Sequence, residues 1–388
     1  MLFRSSPQRS PVENKSVSGT PRIFVGLSGG VDSAVAALLL RRAGHDVQGL
    51  FMANWDEDDT YCSIATDYQD ARAVSRELDI PLHRVDFATQ YRALVFEQFL
   101  AEYRAGRTPN PDVACNREIK FGVCLEHVRR LGGDHFATGH YARRVDGAPV
   151  ELHKAHDLTK DQSYFLHTLH RSQLRAALFP LADLSKAEVR ATARAAGLPV
   201  YDKPDSTGIC FIGERPFRDF LAQYIPESPG PIEALDGERL GTHRGLAYYT
   251  LGQRGGLEIG GRAGHAEDAW YVADKNSVRN ALVVVQGHDH PALASTGMQT
   301  ERAHWLLETA PQAPFEAMVK VRYRQDDQPC RVTPLPDGRL DVEFDTPQRA
   351  VTPGQSAVFY RGTRCLGGAV IATLRKAPLS PRDSRPPL

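Results

Sequence analysis

Two sets of side chains in this 388-residue sequence are spaced for chemistry: a serine–glycine run that could hold a phosphate, and a pair of cysteines that could carry sulfur. The run is Ser28-Gly29-Gly30-Val31-Asp32-Ser33. Its glycines allow backbone to approach a phosphate closely, and Ser28 and Ser33 add hydroxyl donors. Asp32 could cap a helix or help hold a magnesium ion. A Walker loop would need a lysine behind the glycines, and a dinucleotide fingerprint would need Gly-x-Gly-x-x-Gly. Gly26, Gly29 and Gly30 supply neither pattern. The bland alternative is a capped structural turn.

Cys115 closes the stretch Gly106-Arg107-Thr108-Pro109-Asn110-Pro111-Asp112-Val113-Ala114-Cys115-Asn116. The prolines stiffen this stretch, which reads as a loop ahead of a helix spanning Glu118 to Arg130. A thiol beside a helix N-terminus favours the thiolate, Asp112 could relay a proton, and Lys120 adds positive charge. Cys210 lies in Asp205-Ser206-Thr207-Gly208-Ile209-Cys210-Phe211-Ile212-Gly213, a polar, glycine-containing segment between domains. Two such cysteines suggest paired sulfur chemistry: one carries a persulfide and the other resolves it by forming a disulfide. Each could instead be a small buried thiol. Cys62, Cys124, Cys330 and Cys365 read as structural, Cys62 with least force because it lies in a ligand-side loop. No Cys-x-x-Cys pair or tight Cys/His cluster reads as a metal site.

The elements that must position these residues alternate. Strands are expected at Ile23–Leu27, Val47–Met52, Leu82–Phe87 and Phe136–Thr138. Helices are expected at Ser33–Ala43, Asp67–Leu78, Tyr91–Tyr103 and Glu118–Arg130. That order predicts an α/β domain, a parallel sheet with helices on both faces and ligands at the carboxyl ends of its strands. Helices continue through Asp161–Ala196, with Ser185 as a cap and Gly197 as a stop. From about Pro226 the character changes, and short β-like runs at Leu246–Leu251, Trp270–Val272 and Leu282–Gln286 suggest a small β-rich middle domain. Runs at Ala317–Arg324, Cys330–Val332, Leu340–Phe344, Ala357–Tyr360 and Ala369–Ala372, with a hairpin turn at Asp337-Gly338, predict a C-terminal β-barrel. The expected division is a disordered extension (1–20), the α/β domain (21–213), the middle domain (214–297), the barrel (298–375) and a disordered tail (376–388).

Hydrophobic content of 41% suits ordinary globular cores, and no apolar run is long enough to cross a bilayer. The N-terminal residues lack the apolar core of a signal peptide, and Glu13, Pro7 and Pro11 argue against an organelle transit segment. Six cysteines in so long a chain suit a reducing cytoplasm better than a disulfide scaffold. With a formal net charge of zero, a nucleic-acid partner needs a local basic face. Arg143-Arg144, Lys154 with Lys160, and Arg322-Tyr323-Arg324 are candidates, although each taken alone reads first as solvated surface.

The phosphate run resembles the pyrophosphate loop of ATP pyrophosphatases. From about Pro21 to Leu374 the chain resembles the bacterial tRNA-specific 2-thiouridylase family. The resemblance rests on Gly-Leu-Ser-Gly-Gly-Val-Asp-Ser from Gly26, Thr-Pro-Asn-Pro-Asp from Thr108 and Cys-Asn-Arg-Glu-Ile-Lys-Phe from Cys115. It also rests on Ala-Thr-Gly-His-Tyr from Ala137, Lys-Asp-Gln-Ser-Tyr-Phe-Leu from Lys160, Asp-Ser-Thr-Gly-Ile-Cys-Phe-Ile-Gly from Asp205 and Thr-Pro-Gly-Gln-Ser-Ala-Val from Thr352.

The resemblance implies ATP with Mg²⁺, tRNA as the substrate, and a wobble uridine as the target. It implies that Gly26, Leu27, Ser28, Gly29, Gly30, Val31, Asp32 and Ser33 bind ATP, with Met52 at the adenine and Gly139 approaching the nucleotide. Asn110, Pro111 and Asp112 would sit beside the target base. His140, Lys160, Asp161, Gln162, Arg322, Tyr323 and Gln355 would contact tRNA. Cys115 and Cys210 would be catalytic and would form a transient disulfide, with Asp112 as general acid/base. Sulfur would come from a carrier protein of a cysteine-desulfurase relay. No membrane partner is expected, and a monomer is expected. A ligase or amidotransferase acting on a small metabolite would need no paired cysteines, and a non-catalytic RNA-binding module would release no pyrophosphate.

Overall fold

The computed structural model describes residues 20–55, 64–205, 216–260 and 268–379. Cys62 and Cys210 lie outside the described residues.

Ile23, Phe24 and Val25 are each at most 1% exposed, so β1 (Arg22–Gly26) is apolar on both faces, as a central parallel strand must be. It pairs in parallel with β2 (Asp46–Ala53), and β2 pairs in parallel with β3 (Leu82–Asp86). On its other side β1 pairs with β4 (His135–Ala137), which pairs with the two-residue β7 (Ala177–Leu178). The order β3-β2-β1-β4-β7 reverses direction between β1 and β4. A crevice opens there at the carboxyl ends of the strands, where ligands of open α/β sheets bind.

Helices α1 (Val31–Arg42) and α2 (Ile64–Glu77) follow β1 and β2. α3 (Ala88–Tyr91) runs through π-helical turns at Arg92–Phe96 into α4 (Glu97–Arg104). α5 (Pro111–Ala114) runs likewise through Cys115–Val123 into α6 (Cys124–Arg130). Beyond a hairpin of β5 (Arg143–Val145) and β6 (Glu151–His153) come a 3₁₀ turn at Ser163–Leu166, α7 (Arg171–Ala176) and α8 (Lys186–Ala195). Ser185 and Glu188 form a capping box on α8, and Gly197 follows its end at φ +66°.

After α9 (Phe217–Ala222), the middle domain is a four-stranded sheet of β8 (Gly230–Glu233), β9 (Arg239–His243), β10 (Trp270–Asn276) and β11 (Ala281–Gln286), ordered β10-β11-β8-β9. The run Leu246–Leu251, read as a strand, instead holds a 3₁₀ turn at Leu246–Tyr248. Tyr248 is buried there, donating its hydroxyl to the Ile225 carbonyl at 2.5 Å, so tertiary packing overrides the β propensity of the aromatics.

The C-terminal barrel comprises β12 (Ala294–Thr300), β14 (Phe315–Lys320), β15 (Gln328–Pro334), β16 (Leu340–Arg349), β17 (Ser356–Arg361) and β18 (Arg364–Lys376). Their order is β12-β16-β15-β14-β17-β18, and β18 pairs back with β12 to close it. The remaining length of that β18 flank is covered by β13 (His304–Trp305) and by β6 of the α/β domain, with Leu152 opposite Cys365. One hydrogen-bonded sheet therefore spans both domains.

Candidate active site

The Ser28–Ser33 loop, the candidate phosphate loop, is held by its own hydroxyls. Ser33 Oγ donates to the Gly30 carbonyl at 3.0 Å and accepts the Ser28 N–H at 3.2 Å. Gly30 is the N-cap of α1, with extended backbone and no side-chain cap. Gly29 has φ +76°, and a Cβ there would stand 2.4 Å from the Asp67 carbonyl on α2. A Cβ on Gly139, just beyond β4, would stand 2.8 Å from both the Asp32 carbonyl carbon and the Ser33 nitrogen. Both positions thus exclude any side chain. On the floor of the crevice, a Cβ on Gly26 would meet Phe136 at 3.1 Å and the end of Met52 at 3.6 Å. The expected ATP residues therefore gather at the β1/β4 reversal, around the exposed N–H groups of a helix start.

Asp32 does not cap its helix. Its two carboxylate oxygens lie 2.7 and 2.8 Å from Lys186 Nζ, and Tyr141 donates its hydroxyl to Oδ1 at 2.8 Å. Burial, with the Asp32 charge adding, pushes the Tyr141 phenol well above its ordinary range, so it stays a donor. Among the described residues no group of three or more His, Cys, Asp or Glu side chains is arranged for a metal. With Asp32 already ion-paired, a magnesium ion here would draw its ligands chiefly from nucleotide oxygens and water, its usual preference.

The Cys115 region departs from expectation. The helix starts at Pro111 rather than near Glu118, because Asn110 Oδ1 accepts the Asp112 N–H at 3.2 Å and proline suits the first helical position. Cys115 therefore lies inside the helix, 2% exposed, at the start of its π-helical turns, instead of in the loop. Those turns end at a kink on Gly122 (φ −96°, ψ −107°). Burial raises the Asp112 carboxyl above its ordinary value, opposed by the charge of Lys120. Lys120 acts electrostatically on Asp112, Cys124 and His140 alike, which places it at the hub of this cluster. Phe121, on the same helix, lies 6.2 Å ring to ring from His140, the neighbour of Gly139. The Cys115 helix is thereby packed against the turn that touches the phosphate loop.

The expected tRNA residues divide. Gln355 Nε2 donates to the carbonyls of Thr108 at 2.8 Å and Pro109 at 3.2 Å, and Thr108 N–H donates to the Pro353 carbonyl at 2.9 Å. The barrel's Thr-Pro-Gly-Gln motif thus grips the Thr-Pro-Asn-Pro-Asp motif. Arg322 is turned inward, donating to the Ala350 carbonyl at 2.6 Å. The Tyr323 hydroxyl reaches the Lys160 carbonyl at 3.4 Å, and its ring lies 4.4 Å from Phe165. Asp161 is 4% exposed and accepts from the Ala155 N–H at 3.0 Å and from Ser163 Oγ at 2.8 Å. Gln162 Oε1 accepts the Tyr141 N–H at 3.0 Å. Buried His140, held by Thr138 Oγ1 at 2.8 Å, is pushed well below its ordinary pKa by burial and then by Lys120, so it is neutral. Lys160 is about one-third exposed and pairs with Asp205 at 2.9 Å.

Sequence reasoning missed Tyr141 and Lys186, and did not single out Asp205. Tyr141 and Asp205 were visible only as members of quoted motifs, and Lys186 only as the residue after the Ser185 cap.

Comparison with known proteins gives three matching family models. The tRNA methyl transferase HUP domain matches residues 21–214, the tRNA methyl transferase PRC-barrel domain 218–286, and the aminomethyltransferase beta-barrel domain 295–371. The tRNA-specific 2-thiouridylase MnmA of Alkalilimnicola ehrlichii is 56% identical over 358 residues, covering 91% of this chain and 98% of that one. The protein of the same name from Yersinia pestis is 56% identical over 355 residues, covering 90% and 95%. A solved 4-thiouridine synthetase–RNA complex with bound ATP is similar at a TM-score of 0.35 and 18% identity, covering 53% of this chain and 50% of that one, a likeness too slight to bear on function.

Proposed function

Because the chain belongs to the tRNA-specific 2-thiouridylase family, we propose that it converts the wobble uridine of tRNA to 2-thiouridine by ATP-dependent adenylation followed by transfer of sulfur from a cysteine persulfide. The enzyme is a tRNA-uridine 2-sulfurtransferase. The observation that carries the reading is the meeting of the phosphate loop, the Gly139-His140 turn and the Cys115 helix at the β1/β4 reversal.

ATP supplies a leaving group. Its phosphates lie against the N–H groups from Ser28 to Ser33, and Met52 faces the adenine. Mg²⁺ would accompany the nucleotide beside Asp32, taking its ligands from phosphate oxygens and water and offsetting phosphate charge. The target uridine leaves its stack, as base-modifying enzymes require, and rests beside Asn110, Pro111 and Asp112. Its O2 attacks the α-phosphorus, the bond to pyrophosphate breaks, and the base is adenylated at O2. Asp112 moves the proton. Cys210 arrives as a persulfide loaded by a carrier protein. Either its terminal sulfur adds to C2, or Cys115 attacks the Cys210 sulfur and the released hydrosulfide adds. AMP leaves with O2, and the two cysteines end as a disulfide while the transferred sulfur takes their electron pair. A thiol reductant restores them. Direct attack of Cys115 on C2 is the other covalent route.

Incubation with ATP, unmodified tRNA and a persulfide donor tests the reading. 2-Thiouridine and one pyrophosphate per thiolation are expected. Cys115→Ser and Cys210→Ser should each lose persulfide-driven thiolation. Retention by both removes the cysteine assignment, and absence of tRNA-dependent pyrophosphate release removes the adenylation step. Among the described residues no helix is long and apolar enough to cross a membrane.

A further inference from the structure

A single carboxylate gathers three cations, two from α8 and one from the turn before Gln162. Asp205 Oδ1 lies 2.7 Å from Lys186 Nζ and 3.0 Å from Arg190 Nη2, and its Oδ2 lies 2.9 Å from Lys160 Nζ. Lys186 Nζ is in turn within 2.8 Å of both oxygens of Asp32 in the phosphate loop. The Lys186 side chain is 13% exposed. Its three ammonium protons face three carboxylate oxygens, so it is saturated. Two residues before Asp205, Lys203 Nζ pairs with Asp67 at 2.7 Å and Asp70 at 2.5 Å on α2. The Asp67 carbonyl is the atom that abuts Gly29. The chain at Lys203–Asp205 is therefore fastened on both sides of the phosphate loop, through Asp67 at Gly29 and through Lys186 at Asp32.

We propose that Asp205 is a positioning residue for the adenylation step, holding the Lys186 and Lys160 ammonium groups between the phosphate loop and the segment that faces tRNA. The inference rests on the proposed function above. An incoming triphosphate competes with Asp32 for Lys186. Asp205 then keeps the ammonium where charge develops on the α-phosphate, and keeps Lys160 at the tRNA side of the same carboxylate. Partial burial disfavours its charge, but the hydrogen bonds from Lys186 and Lys160 outweigh that and hold its carboxyl down at about 2, so it is ionised throughout the working range. The Asp157 carboxylate is occupied nearby by the Thr159 and Lys186 backbone N–H groups, at 3.0 Å each, and does not substitute for it.

The test uses the full chain with ATP and unmodified tRNA, without a sulfur source, following pyrophosphate release. Asp205→Asn should lower kcat about ten-fold or more, the effect of a misplaced charged group, and leave the ATP KM within about three-fold. Asp205→Glu should recover part of kcat. A raised ATP KM with unchanged kcat, or no change in either, overturns the proposal. Should Asp205→Asn fail to fold, Lys186→Gln should show the same fall in kcat, and an unchanged kcat there overturns it equally. Acetic anhydride labelling reads the link without activity: Lys186 and Lys160 should label faster in Asp205→Asn than in the parent, and equal rates overturn it. A parent that releases no pyrophosphate while labelling still responds to Asp205 would defeat the proposed function and leave the link standing.

Discussion

Gln355 Nε2, in the barrel, donates to the carbonyl of Thr108, 247 positions earlier, at 2.8 Å. The bond fixes the loop whose next residues cap the Cys115 helix. A neutral hydrogen bond contributes about 1 kcal/mol net. Gln355→Leu removes this one and its weaker neighbour to Pro109, so a loss of about 1–2 kcal/mol is expected in urea unfolding, with a larger proportional loss of thiolation. Gly354→Ala should be worse, since φ there is +93° and its Cβ would stand 2.8 Å from the Thr108 nitrogen. Equal stability of Gly354→Ala and the parent would show that the grip between the two motifs does not matter.

The Ser28–Ser33 loop admits no methyl group at Gly29, nor at Gly139 packed against it. Gly29→Ala adds a Cβ 2.4 Å from the Asp67 carbonyl, and Gly139→Ala adds one 2.8 Å from the Ser33 nitrogen. Both should abolish detectable ATP binding in calorimetry, while far-UV circular dichroism stays near that of the parent. Normal ATP affinity in Gly139→Ala would place the nucleotide elsewhere.

Asp112 carries a pH signature. Burial raises its carboxyl pKa in the folded protein. A raised folded value favours the folded state below the unfolded pKa of about 4, and that contribution is lost as pH rises through the folded value. Asp112→Asn escapes the loss. Its melting temperature should exceed the parent's at neutral pH, with the gap closing below pH about 4. As the proposed general acid/base, the same variant should lose thiolation about 100-fold or more. A gap that does not depend on pH would mean that the carboxylate is not strained by its surroundings.

Lys154, 7% exposed, pairs with Asp327 of the barrel and lies 4.3 Å from the ring centroid of Tyr360. Lys154→Met leaves Asp327 facing a half-empty charge pocket, although Lys320 stands 3.9 Å away. Breaking such a pair costs about 3 kcal/mol when the survivor stays enclosed. The double variant Lys154→Met with Asp327→Leu should recover most of that loss, and additive losses would argue against the pairing.

The strand–loop–helix unit from Ile23 to Leu40 was legible because its apolar runs and glycines are local signals. The Ser185 cap and the Gly197 stop were legible for the same reason. The start of the Cys115 helix was misread: two prolines look like a loop until Asn110 is known to cap and Pro111 to occupy the first turn. The hairpin β5–β6 was missed because three-residue strands carry no period, and two of its five residue pairs are made with β18 near the other end of the chain. The link from Asp205 to Asp32 through Lys186 joins three positions with no common spacing, so only the folded chain brings it into view.

The ladder shared by β6 and β18 means that the two lobes are not separable goods. A polypeptide ending after the nucleotide-binding lobe would carry the β6 edge bare, its amides and carbonyls ready to recruit a strand from any neighbour. Splitting the gene at the apparent border should therefore yield sticky halves. The two pieces of this protein are expected to be engineered only together.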